Sequence, residues 1–277
     1  MSELTLARAE HSPSTRSVTG LGTHSLLLTG RAIRSLIRQP AYLAISLVQP
    51  VIWLLLFGQL FKSVVEIPGF THRSGSYLEF ITPGVIVMTA LFSSGWAGTV
   101  FIEDMNIGVM DRLLASPVRR AAMVIGSLVY QCITTAIQTL IVFAIAYAAG
   151  ARYAGGVTGI AITVLCAMLV SVIIASFSNA VALLVRQQEA LIGISQFIVL
   201  PLQFLSGAIM DTRLAPHWVR HVARYNPVDW AVVAARQALS GSTEWGALWP
   251  RVGWLAALAL LMGWLCTLAF GSYQRSV

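Results

Sequence analysis

The chain has 277 residues, of which 57% are hydrophobic and only 10% charged, against about 25% charged in a typical soluble domain. With 18 Lys/Arg and 11 Asp/Glu, polar cover for a soluble fold of this length is missing, which excludes an ordinary cytosolic enzyme and also intrinsic disorder of the whole chain. The formal net charge of +7 does not indicate nucleic acid, because the basic residues flank apolar runs instead of forming one basic face.

Taken in chain order, residues 1–22, rich in Ser and Thr, are predicted to be a disordered cytoplasmic tail. Residues 23–40 have a helical pattern. Leu26, Ile33, Leu36 and Ile37 fall on one side, while Arg31, Arg34 and Arg38 fall on another. This predicts an amphipathic interfacial helix with its arginines toward lipid phosphates, or a plain positive anchor. The helix is expected to stop at Gln39-Pro40, because a residue before proline disfavours the α region. No secretory signal pattern precedes the first apolar run, so that run is expected to stay in the mature protein.

Residues 41–272 are predicted to be an all-α membrane domain of six transmembrane helices, at about 41–61, 80–101, 123–149, 157–185, 191–210 and 252–271. None of these runs contains Asp, Glu, Lys or Arg, and each is long enough to cross about 30 Å of hydrocarbon. Both termini are expected in the cytoplasm. Ten basic residues then lie inside and three, Lys62, Arg73 and Arg152, in the first two outside loops. The last outside segment, with Arg213, Arg220, Arg224, Arg236 and Arg251, runs against this count.

The uncharged spans argue against a self-contained ion-coupled carrier. They do hold amides. Gln131 and Gln138 are seven apart on one face of span three, Gln196 and Gln203 seven apart on span five, and Asn179 lies in span four. These five residues could line a polar substrate path, or they could join helices by hydrogen bonds. Pro50, Pro83 and Pro201 each remove a backbone donor inside a span. Cys132, Cys166 and Cys266 read as small hydrophobes. His217 and His221 are four apart, but Trp218 stands where HExxH needs its Glu, so no metal site is expected. The only lysine, Lys62, has Phe61 and Leu56 where GxxxxGK[ST] needs glycines, so the chain cannot be its own P-loop ATPase.

Two loops carry more information than the spans. The segment 101–120 places Glu103, Asp104, Asp111, Arg112, Arg119 and Arg120 around apolar Ile107, Met110, Leu113 and Leu114. Such a segment could dock on a soluble partner or form an ordinary interfacial turn. The segment 205–241 is long, aromatic and basic, with Trp218, Tyr225, Trp230 and Arg236. It suits short helices dipping into the outer leaflet.

The pattern Gly108-x3-Arg112-Leu113-x2-Ser116-Pro117-Val118-x-Arg120 resembles the cytoplasmic loop of ABC-2 type transporter permeases, especially the daunorubicin-resistance type. The stretches Leu205-Ser-Gly-Ala-Ile209, Pro216-x-Trp218, Asn226-Pro227-Val228, Arg236 and Gly241 resemble that family's segment before its last span. The resemblance covers about 80–275 and departs at Met105-Asn106-Ile107, where more charge is usual. It implies the membrane half of an ATP-binding-cassette exporter of the bacterial inner membrane. Two permease copies, or this chain and a sister permease, would pair with two ATP-binding subunits that hold ATP and Mg; this chain would hold no cofactor. The resemblance also implies that the helix before span one and the loop after span two touch the ATPases, with Gly108, Arg112, Ser116, Pro117 and Arg120 in the coupling segment. Asn226-Pro227 would begin the outer re-entrant helices. A membrane scaffold or immunity protein that binds a partner without transport is the competing reading, and an integral membrane enzyme is disfavoured because no acid/base set is placed in the spans.

Overall fold

Apolar chain that cannot hydrogen-bond to water must satisfy its backbone internally, and here it does so as helix. The computed structural model describes residues 40–60, 76–108, 120–209, 215–241 and 244–273. Among them are nine helices and no strand. They are α1 (Pro40–Leu60), α2 (Tyr77–Gly95), α3 (Thr99–Asn106), α4 (Arg120–Ala148), α5 (Gly156–Val185), α6 (Gln188–Phe204), α7 (His217–Ala223), α8 (Pro227–Leu239) and α9 (Trp245–Tyr273).

Local signals set several ends. Ser76 caps α2, its hydroxyl accepting from the Leu78 N–H at 3.3 Å, and Glu79 sits in the first turn where the dipole favours an acid. α8 has Asn226 as cap, Pro227 at the start, Asp229 in its first turn and Arg236 in its last. α5 ends on Arg186 in the left-handed region, φ 58°, its N–H donating to the Ala182 carbonyl.

α5 is the hub. It packs against α2, α3, α4, α6, α8 and α9, and it is apolar all round, as a helix surrounded by others should be. Three clusters form around it. The first joins Val87 and Leu91 of α2, Cys166 and Val170 of α5, Val228 and Val232 of α8, and Leu248 and Leu255 of α9. The second joins Leu47 and Leu54 of α1 to Ile81 and Ile86 of α2 and Val142 of α4. The third gathers Phe101 and Ile102 of α3, Leu183, Leu191 and Phe270.

Four stretches are long and apolar enough to cross a bilayer: Tyr77–Asn106, Met123–Ala148, Gly156–Val185 and Trp245–Gly271, of 30, 26, 30 and 27 residues. The remaining two predicted spans are helical too. α1 has 21 residues and α6 has 17, against 26 to 30 for the other four. α6 begins at Gln188 and stops at Phe204 where the sequence predicts 191–210. It stops because its last carbonyls are taken by another helix: Asn226 Nδ2 donates to the Leu202 and Leu205 carbonyls at 2.7 and 3.0 Å.

The second predicted span is two helices, α2 and α3, broken at Trp96–Gly98. Ser178 of α5 bridges the break. Its hydroxyl donates to the Gly95 carbonyl at 2.7 Å and accepts from the Gly98 N–H at 3.0 Å, so both backbone groups freed by the break are paired inside the bundle. A Cβ at Gly98 would collide with the Ser178 carbonyl. The last predicted span starts earlier than 252, at Trp245, and takes Arg251 into the helix. That cation is satisfied by Gln237 Oε1 at 3.1 Å and the Ala247 carbonyl at 2.8 Å.

Candidate functional site

The sequence-predicted residues fall in separate regions along the bundle. At one end, α3 finishes with exposed Glu103 and half-buried Asp104. Gly108 follows at φ +68°, a left-handed conformation open to glycine, with its N–H donating to the Met105 carbonyl. Arg120 opens α4. Asp111, Arg112, Ser116, Pro117 and Arg119 lie outside the described residues, as do Arg31, Arg34 and Arg38 with the tail and the predicted interfacial helix.

Midway along the bundle, α1 and α6 flank α2 and leave a half-open groove of about 500 Å³. α1 contributes Ser46, Gln49 and Trp53; α2 contributes Met88, Phe92 and Ser93, and the break after it Trp96; α6 contributes Gln196 and Leu200. The lining is apolar and aromatic with a few neutral hydrogen-bonding groups, which is how sites for uncharged or amphipathic small molecules are built. Ile45 in the lining is exposed, and so are Ile52 elsewhere on α1 and Phe197 and Phe204 elsewhere on α6, Phe197 by 81%.

The five span amides do not share this surface. Gln196 lines the groove. Gln131 and Gln138 are 5% and 1% exposed and lie behind it on α4. Gln131 Nε2 donates to Ser93 Oγ at 3.3 Å and Gln138 Nε2 to Ser46 Oγ at 3.0 Å. Asn179 is buried, its Nδ2 donating to Ser127 Oγ at 3.1 Å. Gln203 is buried near the end of α6, apart from the groove lining. Ser46 and Ser93 have no signature in the sequence, whereas Ser178 stands with Ser176 and Asn179 as a polar group of span four that reads as path lining or helix packing. What a serine in an apolar run does depends on which amide or helix break lies opposite.

At the end of the bundle opposite α3, α7 and α8 form a helical hairpin. α7 leaves Trp218, Arg220, His221 and Tyr225 exposed. Trp230 Nε1 donates to the Arg224 carbonyl at 2.6 Å, joining the two helices. α8 is buried on the bundle side through Val228, Ala231, Val232, Ala235 and Ala238. Its polar side chains grip the chain that follows α6. Asn226 takes the two carbonyls already named, and Asp229 Oδ1 accepts from the Gly207 N–H at 2.8 Å. Arg236 lies 3.7 Å over the Phe80 ring and donates to the Phe80 and Ala208 carbonyls, each at 3.2 Å. This junction of α2, α8 and residues 205–209 is so close that a Cβ at Gly84 would strike the Ala208 carbonyl. In the adjoining 149–155 connection, burial pushes the Tyr153 phenol above its ordinary range, which keeps it neutral.

Among the described residues no three His, Cys, Asp or Glu side chains come together as metal ligands. A bundle of apolar helices, a neutral groove on its flank and a charged segment at one end define a multi-pass membrane protein of the transporter class. The chain belongs to the ABC-2 type transporter family, which matches residues 23–240. It is 29% identical over 210 residues to the transport permease ycf38 of Porphyra purpurea, covering 75% of this chain and 70% of that one. It is 25% identical over 212 residues to the daunorubicin resistance ABC transporter permease protein DrrB1 of Streptomyces coeruleorubidus, with 76% and 73% covered. It is 22% identical over 252 residues to the doxorubicin resistance ABC transporter permease protein DrrC of Mycobacterium tuberculosis, with 91% and 88% covered. The family implies an ATP-binding partner subunit.

Proposed function

We propose that this chain is the permease subunit of an ATP-driven exporter of the bacterial inner membrane, and that the groove between α1, α2 and α6 receives its substrate. In this reading the chain crosses the membrane six times, with α1 and α6 as the first and fifth spans and both termini in the cytoplasm. The α7–α8 hairpin is then an outer re-entrant pair. The exposed apolar side chains of α1 and α6 face a second permease, a copy or a sister chain, with membrane lipid around the pair. Two ATP-binding subunits carry ATP and Mg. The segment 103–120, with Gly108, Arg112, Ser116, Pro117 and Arg120, meets them and is pushed when they close. Alternating access then follows from largely rigid-body rocking of α1, α2 and α6.

The observation that carries this reading is the groove: about 500 Å³, aromatic and amide-lined, uncharged and open to the flank. Such a lining suits an apolar or amphipathic molecule, whether drug-like, a lipid or a lipid-linked product, and disfavours a bare ion. The relatives named for daunorubicin and doxorubicin resistance support the drug-like class. The test is purification of the complex in mild detergent. An ATP-hydrolysing subunit is expected to come with the chain, and Arg112→Ala or Gly108→Val is expected to lower transport-coupled hydrolysis while insertion stays intact. A chain that purifies without any ATPase is the scaffold of the competing reading.

A further inference from the structure

We propose that α4 couples ATP-driven movement to the groove through two amide–hydroxyl bonds, Gln131 to Ser93 and Gln138 to Ser46. The inference rests on the ATP-driven groove proposed above and assigns the residues that tie its floor and wall to α4. Gln131 and Gln138 act through the serines they hold and are positioning residues.

Arg120 is the first residue of α4. α4 then runs 29 residues with no proline inside. α1, α2, α6 and α9 each contain one, at Pro50, Pro83, Pro201 and Pro250. A helix with an uninterrupted hydrogen-bond ladder moves as a rod, whereas the proline-bearing helices around it can bend.

The rod touches the groove from behind. Seven residues separate the two amides, so they lie on one face about 10.5 Å apart along the axis. One bond goes to α2, the floor of the groove, and the other to α1, one of its walls. Both receiving serines line the groove while both amides are buried behind it. In an apolar interior, water does not replace these bonds when helices part. Gln138 Oε1 has no hydrogen-bond partner among the described residues, so the bond to Ser46 is the anchor of that amide. A shift of α4 along its axis therefore draws the wall and the floor with it or breaks both bonds.

The test follows the groove opening directly and needs no substrate. The complex with its ATP-binding subunit is placed in nanodiscs of bacterial phospholipid. Cys132 is replaced by Ala, and nitroxide labels are attached at two exposed positions, Ile45→Cys in the groove lining on α1 and Phe197→Cys next to Gln196 on α6. The distance distribution is recorded without nucleotide and with ATP plus vanadate. The parent is expected to change on trapping. Gln131→Leu and Gln138→Leu should each retain basal ATP hydrolysis, and each of these two, like Ser46→Ala and Ser93→Ala, should reduce the responding population about two- to threefold, the factor of one interhelical hydrogen bond.

Because partners in one bond are not independent, Gln138→Leu with Ser46→Ala should be no worse than either alone. The exchanged pair, Gln138→Ser with Ser46→Gln, should recover the response, which an amide needed only for packing would not give. The serine variants remove the same bonds if the leucine variants fail to fold. A full response in all four variants, or losses that multiply in the double variant, overturns the relay alone. No change in the parent overturns the ATP-driven groove, and the relay with it.

Discussion

The hairpin junction and the groove are built on the same helix, α2, and differ in how firmly their parts are held. At the junction, Asn226, Asp229 and Arg236 of α8 each bind backbone of the 202–208 stretch, and Arg236 also binds α2. Backbones meet there without room for a Cβ at Gly84. At the groove, α1 and α6 flank α2 with exposed apolar side chains, and Gln49 lies open. Directional bonds between backbone and buried side chains allow one arrangement, whereas apolar contact tolerates sliding. The junction thus works as a fixed reference that holds α6, α8 and α2 relative to one another, and the freedom left at the groove is that of α1 against them.

The sharpest way to break that contrast is to remove a group the junction depends on. Asn226→Ala deletes the cap of α8 and leaves the Leu202 and Leu205 carbonyls without their donor in a buried place. The expected loss is about 2–4 kcal/mol of stability, read as a fall in Tm and in monodisperse protein. Arg236→Met keeps much of the volume but removes two carbonyl bonds and the cation over the Phe80 ring. About 1–3 kcal/mol is expected there, measured by the same melting curve. If either change left Tm at the parental value, the junction would not be the fixed reference.

How much of this was legible beforehand depended on the range of the interactions. The apolar runs and the absence of charge within them are local, and they appear directly in the order of residues. The helix start at Asn226-Pro227 comes through the family resemblance. The end of α6 is not local, because it is decided by a side chain more than twenty residues further on: Asn226 takes the Leu202 and Leu205 carbonyls. The break at Trp96–Gly98 hides in a continuous apolar run, since its compensation comes from Ser178 on another helix. Likewise Gln131 and Gln138 are conspicuous as amides, but their direction is set by Ser93 and Ser46, which have no pattern of their own. Only Gln196 among the five amides reaches the groove, because which face of a buried helix meets a cavity is fixed by its neighbours.

The break itself gives an intermediate test. Ser178→Ala leaves the Gly95 carbonyl and the Gly98 N–H unpaired, at an expected cost of about 1–2 kcal/mol. The damage should stay local, since the rest of α2 and α3 retains its own hydrogen bonds. Amide exchange is the suitable measurement: protection at Gly98 should fall while that of Val85–Leu91 is kept. Equal loss along both segments would mean that Ser178 supports the whole span and not the break.

The smallest effect on stability is expected at the groove, where the largest effect on selection should appear. Gln196 is half-buried on α6 and lines the cavity, so Gln196→Leu removes a neutral polar group without opening a core. Its Tm should stay within the range of about 0.5 kcal/mol typical of surface changes. Export of an aromatic probe should then fall relative to an aliphatic dye of similar size, because the first offers hydrogen-bonding edges and the second does not. A site that pairs with polar groups discriminates by leaving them unpaired, and the discrimination is lost when the site becomes apolar. Equal changes for both probes would assign Gln196 to packing and leave selection to Gln49 and the aromatic wall of Trp53 and Trp96. A fall in Tm as large as that of Asn226→Ala would erase the contrast between the two regions, since the groove would then be as firmly built as the junction.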